Sequence, residues 1–159
     1  MTFHAATPAD LATRDQLLSM SGLAFMEAIR DGALPQPPIG RVLDYRVTEV
    51  EDGRVAFEGT PGFDHTNPMG TVHGGWYGTL LDSAMACAVM TKVPRGSLYT
   101  TLEYKVNVTR TLPVGTPIFC EGVVSHAGRT TGVATGELRG RDDGRLYATG
   151  STTCLIMRG

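Results

Sequence analysis

The stretch His65-Thr-Asn-Pro-Met-Gly-Thr-Val-His73-Gly-Gly-Trp-Tyr-Gly78-Thr-Leu-Leu-Asp82-Ser-Ala-Met-Ala-Cys87-Ala-Val-Met-Thr-Lys92-Val-Pro94 decides how this chain folds. Its first third is polar and turn-rich. From Gly74 onward it is a helix-compatible run that stops at a proline, which has no N–H with which to continue a helix. Besides Lys92, the only side chain in that run charged at neutral pH is Asp82. Leu80, Leu81, Met85, Cys87, Val89 and Met90 spread over most of the helix circumference, so the helix must be covered on most sides. Asp82 therefore sits where a carboxylate is costly unless another group pairs with it or the protein uses it.

What covers the helix is written on either side of it. Arg41 to Val50 and Arg54 to Thr60 alternate apolar with polar around Glu51-Asp52-Gly53, which reads as two strands of a hairpin. After the helix come four further strands in a meander, Leu98 to Thr109, Thr116 to Ala127, Thr130 to Arg141 and Arg145 to Met157, joined by Leu112-Pro-Val-Gly115, Gly128-Arg129 and Asp142-Asp-Gly144. The fold class is α+β: a curved antiparallel sheet of about six strands wrapped round one central helix, about 74–92. Upstream, residues 1–35 form an N-terminal helical extension and 36–159 the main domain. Within the extension a helix is expected from the Thr7 cap to about Met20, with Pro8 in its first turn, then a break at Ser21-Gly22 and a second helix, Leu23 to Arg30. Leu34-Pro-Gln-Pro-Pro38 reads as a stiff extended connector.

Length and composition narrow the function. A chain of 159 residues is one domain with room for a real core. A net charge of −2 offers no attraction to nucleic acid or anionic membrane. No apolar run has the length of a membrane span, and residues 1–7 lack the basic-then-apolar order of a signal peptide, so the cytoplasm is the expected location. Cys87, Cys120 and Cys154 are odd in number and lie in apolar surroundings, as reduced core thiols do, and the four histidines show no ligand spacing; no metal is expected.

Three features fall in register. His73-Gly74-Gly75 is followed by Asp82 nine residues after the histidine, and Asn67 lies six residues before it with Gly70 between. This pattern, with Thr101-Leu-Glu-Tyr-Lys-Val-Asn107, Gly128-Arg-Thr130 and Pro37-Pro-Ile-Gly40, resembles the hotdog-fold acyl-CoA thioesterases, most nearly their phenylacetyl-CoA and hydroxybenzoyl-CoA thioesterase-like group. The resemblance covers nearly the whole chain. It implies that Asp82 is the catalytic carboxylate, as general base or as nucleophile, and that the Gly74 N–H is the oxyanion donor. It further implies that Asn67 holds the attacking water or the carboxylate, that His73 bonds near the thioester, and that Gly75 and Thr130 border the substrate. Another branch of the family carries Ser or Thr four residues after its acid. Here that place is Ala86, which moves the water-orienting hydroxyl to Thr101. Arg129 and Arg110 follow strand ends and either grip the coenzyme A phosphates or are solvated turn arginines. No cofactor is implied beyond the coenzyme A of the substrate.

Spacing adds an argument independent of the family. Gly74 and Asp82 are eight residues apart, about 12 Å along a helix at ~1.5 Å per residue, too far for one carbonyl to meet both. Two such helices crossing about a two-fold axis would bring Gly74 of one chain beside Asp82 of the other, giving two sites per homodimer. The resemblance implies the same, with two dimers in a homotetramer. Taken alone, Asp82 is nearly as readable as a mid-helix acid with a structural partner. The rival functions are a hotdog dehydratase or hydratase and a non-catalytic acyl-CoA-binding module.

Overall fold

The computed structural model of the chain describes residues 3–159. Eleven of the 17 residues of the central helix, α4 (Gly74–Met90), are buried, so it needs partners on nearly every side. Six antiparallel strands supply most of them: β1 (Tyr45–Glu51), β2 (Arg54–Gly59), β3 (Ser97–Val108), β4 (Ile118–Ala127), β5 (Thr131–Gly140) and β6 (Leu146–Arg158), in the order β1-β2-β4-β5-β6-β3. This is the curved sheet around one helix that the alternation predicts.

The helix lies unusually close to the sheet, and three glycines make room for it. Gly122, Gly136 and Gly150 face one another across β4, β5 and β6. A Cβ at Gly122 would run into the Ala84 carbonyl, and at Gly136 or Gly150 it would lie 2.8 or 2.9 Å from the Met85 side chain. Met85, Leu81 and Ala84, all fully buried, fill the resulting seam.

Connectivity departs from the expected meander. Strands β4, β5 and β6 do follow one another, but β3 pairs with β6 from Ser97↔Arg158 to Val108↔Ala148, so it forms an edge of the sheet instead of a neighbour to β4. The reason is the segment 109–117, too long for a tight hairpin. It crosses the N-terminal part of α4, where Leu112 is fully buried and its N–H bonds to the Tyr77 hydroxyl at 2.8 Å.

The N-terminal part corrects three expectations. Instead of one helix from Thr7, there is a 3-10 turn at Pro8–Asp10 and a short α1 (Arg14–Ser19). Thr13 and Gln16 form a reciprocal capping box that starts α1 afresh. Helix α2 (Gly22–Arg30) follows, capped by Ser21. The proline-rich connector is extended only as far as Pro37. Pro38 opens a further helix, α3 (Pro38–Val42), because its fixed φ suits a first helical position, so β1 begins at Tyr45 and not at Arg41. Helix α4 stops at Met90, two residues short of the expected end. Among the described residues no helix is long and apolar enough to cross a membrane.

Gln36 fastens this segment to the sheet. Its main chain bonds to Phe3 and Ala5, and its amide, 1% exposed, accepts from the Val47 N–H at 3.0 Å and donates to the Val47 carbonyl at 3.4 Å, imitating a strand on the free side of β1. Gln36→Leu would leave both Val47 groups buried and unpaired, at about 1–3 kcal/mol each. Together that is about 2–6 kcal/mol, so for a chain of this length the melting temperature should fall by roughly 4–24 °C, measured by circular dichroism.

Candidate active site

The N-terminus of α4 is built by the loop before it. His73 is the N-cap: its Nδ1 accepts from the Gly75 N–H at 2.9 Å, and its carbonyl accepts from the Trp76 N–H at 2.9 Å. Because Nδ1 is an acceptor, the neutral ring carries its proton on Nε2, so His73 offers a donor outward and not a base. Between these two bonds the Gly74 N–H has no acceptor among the described residues, and no atom lies within 4 Å of where its side chain would be. A free donor at the positive end of a 17-residue helix, open to approach, suits an oxyanion.

Asn67 shapes that loop. Its Oδ1 accepts from the N–H groups of Met69 (2.9 Å) and Thr71 (3.3 Å), and its Nδ2 donates to Thr71 Oγ1 at 2.8 Å. One Nδ2 hydrogen is left for a water. His65 has a structural part: its Nδ1 accepts from the Gly62 N–H, its Nε2 is 2.9 Å from the Val42 carbonyl, and its ring stacks on Trp76.

Two turns along α4, Asp82 is half-buried and accepts from Thr101 Oγ1 of β3 through Oδ1 at 3.1 Å. Its other oxygen has no partner among the described residues. The structure thus joins Asp82 to Thr101, and Asn67 and His73 to Gly74, while the two groups remain on separate turns of one helix. Gly75 is exposed in the first turn. Gly78 is buried under the Tyr104 ring, and the Trp76 and Tyr77 rings belong to the core. Arg129 and Thr130 form the β4–β5 turn, exposed at the end of the sheet where Tyr99 and Thr101 lie. Arg110 is nine residues beyond Thr101, roughly 30 Å along β3 at ~3.3 Å per residue. Neither arginine has an ion-pair partner among the described residues. Sequence reading did not single out Tyr45 and Ser83, whose hydroxyls meet at 2.9 Å beside Asp82; Tyr45 reads as an ordinary strand residue and Ser83 as one small residue of a long helix.

Residues 69–147, from the loop before α4 to the start of β6, match the family model of the thioesterase superfamily. The chain is 30% identical over 89 residues to acyl-coenzyme A thioesterase 13 of Mus musculus, an alignment spanning 56% of this chain and 63% of the mouse protein. A phenylacetic acid degradation-related protein from Ralstonia eutropha JMP134 superposes with a TM-score of 0.75 at 26% identity, over 82% of this chain and 98% of that one. Zebra fish thioesterase superfamily member 2 does so with a TM-score of 0.70 at 29% identity, over 86% and 99%. The chain is a hotdog-fold member of the thioesterase superfamily.

In this member of the superfamily the carboxylate at the centre of the helix is electrostatically unsettled. Burial raises the Asp82 pKa above the ordinary aspartate value, and the Thr101 hydrogen bond only partly opposes it. The folded protein therefore keeps the Asp82 proton to a higher pH than the unfolded chain. Stability contributed by that proton is present below the unfolded value and is lost as pH rises through the folded one. Asp82→Asn keeps the shape without the charge. It should melt above the parent at pH 7, and the gap should close near pH 3, below the unperturbed aspartate value of about 3.9. Thermal melts of both proteins at the two pH values check this; a parent more stable at pH 7 would mean that the ionised carboxylate stabilises the fold.

Proposed function

We propose that this protein hydrolyses an acyl-CoA thioester to a free carboxylic acid and coenzyme A. One observation carries the reading: a free Gly74 N–H at an open helix N-terminus and, on the same helix, a half-buried carboxylate with one oxygen held by Thr101 and the other unpaired. Membership of the superfamily and the similarity to the mouse acyl-coenzyme A thioesterase support it. In the mechanism the thioester oxygen takes the Gly74 hydrogen bond. Asp82 removes a proton from water, which adds to the carbonyl carbon, and the tetrahedral intermediate expels the thiolate of coenzyme A. Thr101 fixes the carboxylate so that its free oxygen faces the water. Attack by Asp82 itself, through an anhydride that water then opens, uses the same geometry.

Gly74 and Asp82 act on one carbonyl only if they come from different chains, since about 12 Å of helix separates them within one. We infer a two-fold dimer. Strand β3 is an edge and leaves Leu102, Tyr104 and Val108 exposed by 58%, 47% and 49%, an apolar margin fit to meet its own copy. Pairing of two such dimers is part of the same reading.

Gly74→Pro tests the arrangement cleanly. Proline is favoured at a first helical position, His73 already has the extended geometry (φ −63°, ψ 138°) that a following proline requires, and the substitution deletes only the N–H. Alone it should lose about 10²–10³ in kcat, and Asp82→Asn about 10²–10⁴. A heterodimer of the two, isolated through different tags, has one intact site and should recover about half the wild-type activity. A heterodimer as inactive as its parents places both groups in one chain.

Arg129 is assigned to a coenzyme A phosphate. Arg129→Ala should raise KM for acyl-CoA several-fold and leave KM for the matching acyl-pantetheine thioester, which lacks the nucleotide, unchanged. Equal effects on both substrates would make Arg129 a turn residue.

A further inference from the structure

Between the N-terminal segment and the outer face of α4 lies a cavity of about 220 Å³. Phe25, Met26 and Ile29 of α2 roof it, Ser83 and Cys87 of α4 and Tyr99 of β3 form its inner wall, and the strap around Gln36 closes one side. It is next to the proposed reacting centre. Ser83 follows Asp82 in the chain, and Tyr99 is two residues before Thr101, on the same face of β3. The Asp82 charge also acts on both Tyr99 and Cys87.

The cavity's polar groups are already engaged or uncharged. Ser83 Oγ is bonded to the Tyr45 hydroxyl, and the Gln36 amide is bonded to Val47. Burial pushes the Cys87 thiol up to about 12 and the Tyr99 phenol well above its ordinary range, so neither ionises near neutral pH. A hydroxylated or charged group entering here would lose its water without replacement. At the ~30 Å³ that a water-sized group occupies in a liquid, the cavity holds roughly seven or eight heavy atoms; an apolar cavity of about 150 Å³ already accepts benzene. The roof is fixed in place. The Gly22 N–H bonds to the Val93 carbonyl at 2.9 Å, and a Cβ at Gly22 would run into the Met90 carbonyl, so α2 sits directly on the end of α4.

We propose that this cavity binds the acyl tail and that α2 sets its length limit. The site then takes compact, uncharged apolar acyl groups of about seven or eight atoms beyond the carbonyl, arylacetyl or medium-chain, and excludes long chains. This rests on the thioesterase reading above. The limit belongs to Phe25, Met26 and Ile29, which lie outside the stretch that matches the superfamily.

The test is a series of straight-chain acyl-CoAs from four to sixteen carbons, with phenylacetyl-CoA beside it. For the wild type kcat/KM should rise to about eight carbons and then fall. A buried methylene is worth about fourfold, so Phe25→Ala should raise the ratio of dodecanoyl- to hexanoyl-CoA by tenfold or more, and Ile29→Phe, which narrows the space, should lower it. A ratio moved by neither variant overturns the proposal. Binding of octanoic and hexadecanoic acids, measured by calorimetry on the same proteins, is independent of turnover. If the wild type binds octanoic but not hexadecanoic acid, and Phe25→Ala binds both, while no acyl-CoA is hydrolysed, the thioesterase reading fails and the cavity assignment stands. Turnover without any length dependence would defeat the cavity assignment alone.

Discussion

The structure depends on how closely α4 can lie on its sheet. Three glycines aligned across β4, β5 and β6 let the helix backbone at Ala84 and the side chain of Met85 settle where side chains would otherwise hold them off. That contact determines the rotation of the helix. With Leu81, Ala84 and Met85 turned into the seam, Asp82 is directed toward β3 and Ser83 toward the N-terminal cover. A side chain at any of the three glycines would shift or rotate the helix, and the carboxylate would lose its register with Thr101.

The same rigidity separates the two halves of the proposed chemistry. A helix capped by His73 leaves the Gly74 N–H free at its positive end, where negative charge is favoured. The carboxylate is best held deeper, where burial raises its pKa and makes it a stronger base. A single straight helix cannot bring its first turn and its third to one atom. The geometry that prepares each group is therefore the geometry that calls for a second chain.

The N-terminal segment is joined to this core by hydrogen bonds to buried main-chain groups at two places, the Gly22 N–H on the Val93 carbonyl and the Gln36 side-chain amide on the Val47 N–H and carbonyl. Such contacts hold position more firmly than side-chain packing alone, because an unpaired buried peptide group is costly. The space beneath α2 is accordingly a defined volume with fixed walls.

Much of this was legible in the chain itself. The apolar run with one acid predicted a covered helix carrying Asp82 and alternation predicted the strands, both local signals set by periodicity over a few residues, while the backbone donor at Gly74 was implied by the family resemblance that His73-Gly-Gly and Asn67 carry. The corrections came where local signals compete or fall silent. Thr13 and Gln16 outbid the cap at Thr7, and Pro38 started a helix where a proline run reads as extended. The pairing of β3 with β6 depends on a nine-residue crossing that no strand pattern encodes. Cys87 reads as a core thiol along the sequence and Ser83 and Tyr99 carry no signal of their own; the three line a cavity only because α2, far upstream of α4, comes to rest above them. Periodicity determined which residues turn inward; long-range packing alone decided which of those inward positions meet other side chains and which face an enclosed space.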